Sequence, residues 1–200
     1  MPELAEVWYA SQRINKYCIE KLFYSVQKSE VSKCAEVIVP FSPFSVSSEA
    51  RGKELLLTLT DQSKKKKKNS LDSFHILFNF GMTGRWISFN SMEDIPKHAH
   101  FIVYGKNKDN GVCYVDQRRF GKWREATSFS SDRGPDPTSE FEDFCHNVQT
   151  KLDSNVFNKP ICEVLLDQSY FNGIGNYLRA EILYRIDIPP FAQAREVLQG

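Results

Sequence analysis

Apolar residues near the N-terminus recur every three or four positions. This spacing places them on one face of a helix, and a proline is tolerated in the first turn of a helix. The predicted stripe contains Leu4, Val7, Ala10, Ile14, Cys18 and Leu22. The sequence therefore predicts an N-terminal helix with one buried face, which holds the first residues of the chain rigidly.

Between about residues 35 and 120 the pattern changes to short apolar runs separated by polar turns. Runs of this length and composition predict β-strands. The predicted strands cover residues 36–41, 54–60, 75–80, 85–89, 100–104 and 112–117. Asp109-Asn110-Gly111 predicts a hairpin between the last two. Several short strands at this spacing indicate a sandwich or a barrel.

A linker rich in Ser, Asp, Gly and Pro covers about residues 125–138. Beyond it the apolar spacing becomes helical, and Ser139 with Glu142 predicts a capping box for the first of these helices. Pro160 can begin another helix, and a further helix is predicted from about Tyr177 to Arg185. Strands first and helices second indicate an α+β chain with two domains, at 1–132 and 133–200.

Composition narrows the possible partners only weakly. The net charge is +1, so a nucleic-acid site must come from local clustering rather than from a whole-chain basic excess. The five cysteines show no CxxC spacing, which argues against a zinc site or a disulfide framework and favours a reducing compartment. We expect no signal peptide and no membrane span. The lysine run at 64–68 fits a solvated loop, a nuclear-import patch or a nonspecific DNA contact.

Pro2 offers distinctive chemistry if Met1 is removed, as happens before a small second residue. Its nitrogen is then a secondary amine with a pKa near ~8 against ~10.4 for lysine, which leaves roughly 200-fold more neutral amine at pH 7. Attack of this amine on a sugar C1′ gives an iminium ion, which acidifies the C2′ proton and permits strand cleavage by elimination. The competing interpretation is a proline that only begins a helix.

Glu3 and Glu6 lie three residues apart beside this terminus. One carboxyl group could move protons to the sugar ring oxygen or to the leaving base. The alternative is that both acids only complement the positive end of the helix dipole.

Five segments together resemble the Fpg/Nei family of DNA glycosylases, closest to the animal endonuclease VIII-like enzymes. They occur in the family's order and span almost the whole chain. The segments are Met1-Pro2-Glu3-x-x-Glu6, Arg51-Gly52-Lys53-Glu54-Leu55, Phe80-Gly81-Met82-Thr83-Gly84, Asp116-Gln117-Arg118-Arg119-Phe120-Gly121 and the stretch QSYFNGIGNYLRAE at 168–181. The resemblance implies an N-terminal helix, a two-sheet β-sandwich and a helical domain with a helix-two-turn-helix motif.

The resemblance also implies roles for individual residues. Pro2 would be the nucleophile, Glu3 the main proton shuttle with Glu6 beside it, and Lys53 a cation near the 3′ phosphate or the opening sugar. The residues expected to contact DNA are Met82, His98, Arg118, Arg119, Phe120, Gly173, Gly175, Asn176 and Tyr177. Of these, Met82, Arg118 and Phe120 would fill the space left by a flipped base, and the helix start after Gly175 would bind a phosphate.

The function expected from the resemblance is a bifunctional DNA glycosylase and abasic-site lyase of base excision repair. It would remove oxidised pyrimidines and ring-opened purines through a Pro2 Schiff base with β,δ-elimination, without metal or organic cofactor. We expect a nuclear monomer acting on damaged double-stranded DNA, with bubble or single-stranded DNA as other contexts. Family members continue into a β-hairpin finger that this chain is expected to lack, so a noncatalytic damaged-DNA-binding isoform is the alternative. RNA or ribosome association through the helical motif is a third possibility.

Overall fold

A computed structural model describes residues 1–63 and 71–199, so the lysine run at 64–68 lies outside the described residues. The chain forms two compact units. The first unit comprises Met1–Ala50 and Glu54–Phe129, and the second comprises Arg51–Lys53 and Ser130–Gly200. The division thus falls after Phe129, three residues before the boundary proposed from sequence. The short segment Arg51–Lys53 belongs with the helical part.

The first unit contains one long helix and, among the described residues, two four-stranded antiparallel sheets. Helix α1 is Leu4–Cys18, and the strands are β1 Ser25–Lys28, β2 Phe44–Arg51, β3 Glu54–Asp61, β4 Ser73–Asn79, β5 Arg85–Phe89, β6 Ala99–Tyr104, β7 Gly111–Val115 and β8 Lys122–Glu125. One sheet has the order β1-β6-β7-β5 and the other β2-β3-β4-β8. The predicted two-sheet α+β architecture is confirmed, including the hairpin that pairs β6 with β7.

Aromatic side chains from both sheets fill the core of the first unit. The ring of Phe78 on β4 is fully buried. Its centroid lies 4.9 Å from that of Trp86, 5.1 Å from Phe101 and 5.5 Å from Tyr114. These three partners belong to the opposite sheet, so Phe78 joins the two layers through contacts that aromatic pairs favour.

Two predictions for the first unit are wrong. Leu22 was assigned to the buried stripe of α1, but the helix ends at Cys18 and Leu22 is 44% exposed. Residues 36–41 form no strand, and within them Val37 alone is buried. The neighbouring strand β2 was missed because its buried Ser48 breaks the apolar alternation. The Ser48 hydroxyl lies within hydrogen-bond distance of the Ser11 carbonyl and of Asn15 Oδ1, both at 3.2 Å, which makes that polar position compatible with burial.

The second unit is helical. It contains α2 Phe141–Gln149, α3 Ile161–Val164, α4 Asn176–Arg185 and α5 Ala194–Gln199. A separate apolar core includes Phe157, which is fully buried. The capping box predicted for Ser139 and Glu142 is wrong, because the N-cap of α2 is Glu140. The Glu140 carboxylate instead accepts hydrogen bonds from Arg51 and from the backbone N–H of Asp136.

All five cysteines are free. Cys18 on α1 and Cys113 on β7 are buried, and burial raises the pKa of each thiol to about 12. Cys34, Cys145 and Cys162 are partly exposed. Within the described part of the chain, no helix is both long and apolar enough to cross a membrane.

Candidate active site and nucleic-acid interface

The first turn of the chain places Pro2 beside two acids in different environments. Glu3 precedes α1 as its N-cap and is 1% exposed, whereas Glu6 lies in the first turn and is exposed. The two residues form a reciprocal capping box, in which the Glu3 backbone N–H donates to Glu6 Oε2 at 2.9 Å. The two acids therefore have a structural role, which is to cap the start of α1. The capping box leaves the Glu3 carboxyl group buried and the Glu6 carboxyl group accessible beside Pro2.

A groove of about 650 Å³ begins at this end of α1. Pro2 and Glu6 line it together with Thr83 and Gly84 from the β4–β5 turn and the exposed aromatic residues of α1, Trp8 and Tyr9. Pro2 itself is partly buried. The predicted nucleophile and one acid therefore share a cavity large enough for a nucleotide-sized ligand.

The predicted wedge residues occupy two neighbouring turns. Met82 is 41% exposed at the β4–β5 turn, and Phe120 is 53% exposed in the β7–β8 connection. Arg118 and Arg119 are also exposed there, and the Arg118 guanidinium lies 4.7 Å from the centroid of the Phe120 ring. An unbranched apolar side chain, an aromatic ring and a cation thus project from adjacent turns of the first unit.

Lys53 lies in the second unit and contacts the glycine-rich loop there. Its Nζ donates to the backbone carbonyl of Ile174 at 2.6 Å. Gln168 Nε2 donates to the same carbonyl at 2.9 Å, and Gln168 Oε1 accepts from the Gly173 N–H at 3.0 Å. Lys53 is therefore held against the loop that precedes α4.

The loop that precedes α4 has a backbone conformation that favours glycine. Gly173 has φ +98°, a conformation that favours glycine, and Gly175 is the N-cap of α4. Asn176 and Tyr177 begin the helix and are both exposed. The start of a helix of this length concentrates backbone donors and positive potential, which suits an anion.

Two acids that sequence reasoning did not single out hold the turn carrying Lys53. The Asp136 carboxylate accepts from the Gly52 N–H at 2.6 Å, and Glu140 Oε2 accepts from Arg51 Nε at the same distance. Burial alone would raise the pKa of Glu140, but hydrogen bonds from Arg51 and the Asp136 backbone bring it below its ordinary value. These contacts link residues more than 80 positions apart, so no local sequence signal points to them.

The two histidines of the segment His98-Ala99-His100 lie in different environments. His98 is partly buried, and its carbonyl accepts from the Asp116 N–H at 3.0 Å. His100 is 4% exposed, and its ring nitrogens contact Ser29 Oγ at 2.7 Å and the Asp116 carbonyl at 3.0 Å. Burial lowers the pKa of His100, which favours the neutral ring. His100 is therefore a buried support, and a DNA contact by His98 stays a prediction.

Comparison with known proteins agrees with this arrangement. Residues 1–123 match the model of the formamidopyrimidine-DNA glycosylase N-terminal domain. Endonuclease 8-like 1 of Homo sapiens is 43% identical over 203 residues, which cover 100% of this chain and 51% of the relative. Formamidopyrimidine-DNA glycosylase of Arabidopsis thaliana is 30% identical, over 97% of this chain and 52% of the relative. The chain spans about half the length of these curated relatives.

Solved structures show the same fold at lower identity. A complex of the wild-type Lactococcus lactis Fpg (MutM) protein with DNA containing an oxidised pyrimidine aligns with a TM-score of 0.75 at 22% identity, covering 98% of this chain and 72% of that chain. The MutM (Fpg) protein of Thermus thermophilus aligns with a TM-score of 0.71, also at 22% identity, covering 98% and 68%. The match to the N-terminal domain model covers more than half of the chain and shows that the chain belongs to the formamidopyrimidine-DNA glycosylase family.

Proposed function

We propose that this protein is a bifunctional DNA glycosylase and abasic-site lyase that removes oxidised pyrimidines and ring-opened purines. One observation carries the proposal: Pro2 and Glu6 line a single groove that also reaches the turn bearing Met82. This arrangement supports a reaction in which Pro2 and a carboxyl group act beside the turn that carries Met82.

The proposed reaction begins after removal of Met1, which gives Pro2 a free secondary amine. The Pro2 nitrogen forms a bond to C1′ of the flipped nucleotide while the bond from C1′ to the base breaks, and a carboxyl group supplies the proton that the departing base needs. The proton released by the Pro2 nitrogen passes to O4′ as the bond between C1′ and O4′ breaks, which gives an iminium ion. Loss of the C2′ proton then breaks the bond between C3′ and its oxygen and expels the 3′ phosphate. A second elimination expels the 5′ phosphate, and hydrolysis of the remaining iminium frees Pro2.

The second unit carries a candidate phosphate-binding site of its own. Lys53 is held at the carbonyl of Ile174, the residue before Gly175, and the exposed start of α4 follows at Asn176 and Tyr177. A cation and helix N–H groups bind phosphate without selecting a base, so these contacts would fix the register of the DNA backbone. In the first unit, Met82, Arg118 and Phe120 would occupy the gap left by the flipped base.

The two relatives described above are named as an endonuclease and a DNA glycosylase, and one solved neighbour carries a DNA with an oxidised pyrimidine. These names support damaged duplex DNA as the substrate class, with bubble or single-stranded DNA as further contexts to compare. We extend the proposal to action in the nucleus as a monomer. A noncatalytic damaged-DNA-binding isoform is the alternative.

The decisive experiment is intact mass spectrometry after incubation with abasic-site DNA and borohydride. The expected product has the mass of the protein without Met1 plus the oligonucleotide. Pro2→Gly with one added N-terminal residue should give no adduct, whereas Pro190→Gly, at an exposed proline outside the groove, should react normally. An adduct that persists in the Pro2 variant would show that another amine is the nucleophile. Binding without an adduct in the wild type would favour the noncatalytic alternative.

A further inference from the structure

Two turns of the first unit carry the proposed wedge residues, and both contact the same buried carboxylate. The turns are residues 80–84, between β4 and β5, and residues 116–121, between β7 and β8; we call them the paired turns. Asp116 begins the second of them and is 1% exposed.

The Asp116 carboxylate accepts hydrogen bonds from both turns. Thr83 Oγ1 donates to Asp116 Oδ1, and the Arg118 N–H donates to the same oxygen at 3.2 Å. The Gly121 N–H donates to Oδ2 at 2.7 Å. Burial alone would raise the pKa of Asp116, but the hydrogen bond from Thr83 and those from the Gly121 and Arg118 backbone bring it below its ordinary value. The group is therefore a carboxylate with only acceptor sites, which matches three converging donors.

The paired turns also touch through their backbones. Gly81 has φ +60°, and a Cβ at this position would lie 2.5 Å from the Gly121 nitrogen and 2.5 Å from the Phe120 carbonyl carbon. Beneath them, the Tyr114 hydroxyl donates to the Phe80 carbonyl at 3.0 Å. The backbones of the two turns are therefore in close contact next to Met82 and Phe120.

The backbone of Asp116 is fixed as firmly as its side chain. Its N–H donates to the His98 carbonyl at 3.0 Å, and its own carbonyl contacts the His100 ring, which is in turn held by Ser29. Asp116 therefore links the start of β6 to both of the paired turns.

We infer that Asp116 is a positioning residue that, through Thr83, holds Met82, Arg118 and Phe120 as one preassembled wedge. The inference rests on the proposed function, since a preassembled wedge matters only when a base is flipped. We call the hydrogen bonds between Asp116 and the two turns the clamp. A wedge assembled before binding loses little conformational freedom when DNA is engaged. The contribution should therefore appear in recognition of damaged sites and not in attraction to undamaged duplex.

The test compares Thr83→Val, which removes the hydroxyl at nearly constant shape, with Thr83→Ser, which restores it. Asp116→Asn removes the charge of the accepting carboxylate, and Thr58→Val is the matched control. Thr58 lies on β3, which bounds neither of the paired turns, and its hydroxyl makes a hydrogen bond with His75 at 3.0 Å. The full chain is used throughout, and melting temperatures establish that each variant is folded.

Two measurements are made on each protein. Without DNA, hydrogen exchange of the Arg118 and Gly121 amides should quicken in Thr83→Val and stay at the wild-type rate in Thr83→Ser and Thr58→Val. With DNA, the Kd for a duplex containing an abasic-site analogue should rise roughly tenfold in Thr83→Val, as expected for loss of a hydrogen bond to a charged group. The Kd for undamaged duplex should stay within about twofold. Adding Thr83→Val to Asp116→Asn should cost little more than Asp116→Asn alone, because both break the same clamp.

The outcomes separate the two proposals. A wild-type protein without preference for abasic-site DNA would refute the proposed function and, with it, the positioning role. A wild-type preference that survives in both Thr83→Val and Asp116→Asn would refute the positioning role alone. Equal loss in Thr83→Val and in the Thr58→Val control would show that the effect is general destabilisation, which also overturns the inference.

Discussion

Glu3 and Glu6 share one capping box but meet solvent differently, since Glu3 is 1% exposed and Glu6 is exposed. If Glu3 is the main proton shuttle, Glu3→Gln should slow base release by about 100-fold, the lower range for general acid–base catalysis. Glutamine can still form a capping box, so α1 should persist. Borohydride trapping on preformed abasic-site DNA should fall much less, because no base remains to depart.

Glu6→Gln is the matched control for this prediction, measured by single-turnover base release and by trapping. It preserves the same cap from the exposed side of the pair. A larger loss of base release in Glu6→Gln than in Glu3→Gln would transfer the shuttle role to Glu6.

At the residue scale, sequence reasoning works where chemistry is local and fails where it depends on distant partners. Pro2, Met82 and Phe120 were predicted because each belongs to a short recognisable segment, and the structure places them at a groove or at exposed turns. Asp136 belongs to no such segment, and Asp116 begins one but was assigned no role of its own. Their importance comes from donors such as Thr83, 33 positions away, and Gly52, 84 positions away.

The turn Arg51–Lys53 depends on an ion pair whose strength should vary with pH. Arg51 Nε and Glu140 Oε2 lie 2.6 Å apart, and the pKa of Glu140 is lowered in the folded protein. A lowered folded pKa means that the pair stabilises the fold above the unfolded pKa of about 4.3 and that this stabilisation is lost as pH falls through the folded pKa. Stability above pH 5 should therefore be lower in Glu140→Gln than in the wild type, and the two should converge as the pH falls below about 4.

Thermal melts between pH 7 and pH 3 measure this difference, with Glu142→Gln as the control at an exposed position in the first turn of α2. A difference between wild type and Glu140→Gln that stays constant across this range would exclude titration of Glu140 as its cause.

At the element scale, strands with a regular apolar pattern were predicted within one or two residues, β5 among them. The strands missed were those whose buried positions are polar or few. Strand β2 buries Ser48 through hydrogen bonds to α1, and β8 has only Trp123 buried. Periodicity detects burial through apolar side chains, so a strand held by polar contacts escapes it.

For the first unit as a whole, stability should depend on the aromatic contacts that join its sheets. Phe78→Ala removes a fully buried ring that contacts both layers, and the free energy of unfolding should fall by about 3–5 kcal/mol. Phe120→Ala is the matched control, since its ring is 53% exposed and its loss should change stability by less than about 0.5 kcal/mol. Denaturant unfolding followed by tryptophan fluorescence measures both. Similar losses in the two variants would contradict the assignment of the core.

The burial of two thiols makes this chain its own reporter of opening. Cys18 and Cys113 lie on α1 and β7 and have pKa values near 12, so alkylating reagents at neutral pH should reach them only when the first unit opens. Cys34 lies in a partly exposed pocket next to Gly121 and should react in the native state. The rate of thiol capture at Cys18 and Cys113, compared with capture at the partly exposed cysteines, would therefore report opening of the first unit without an introduced label.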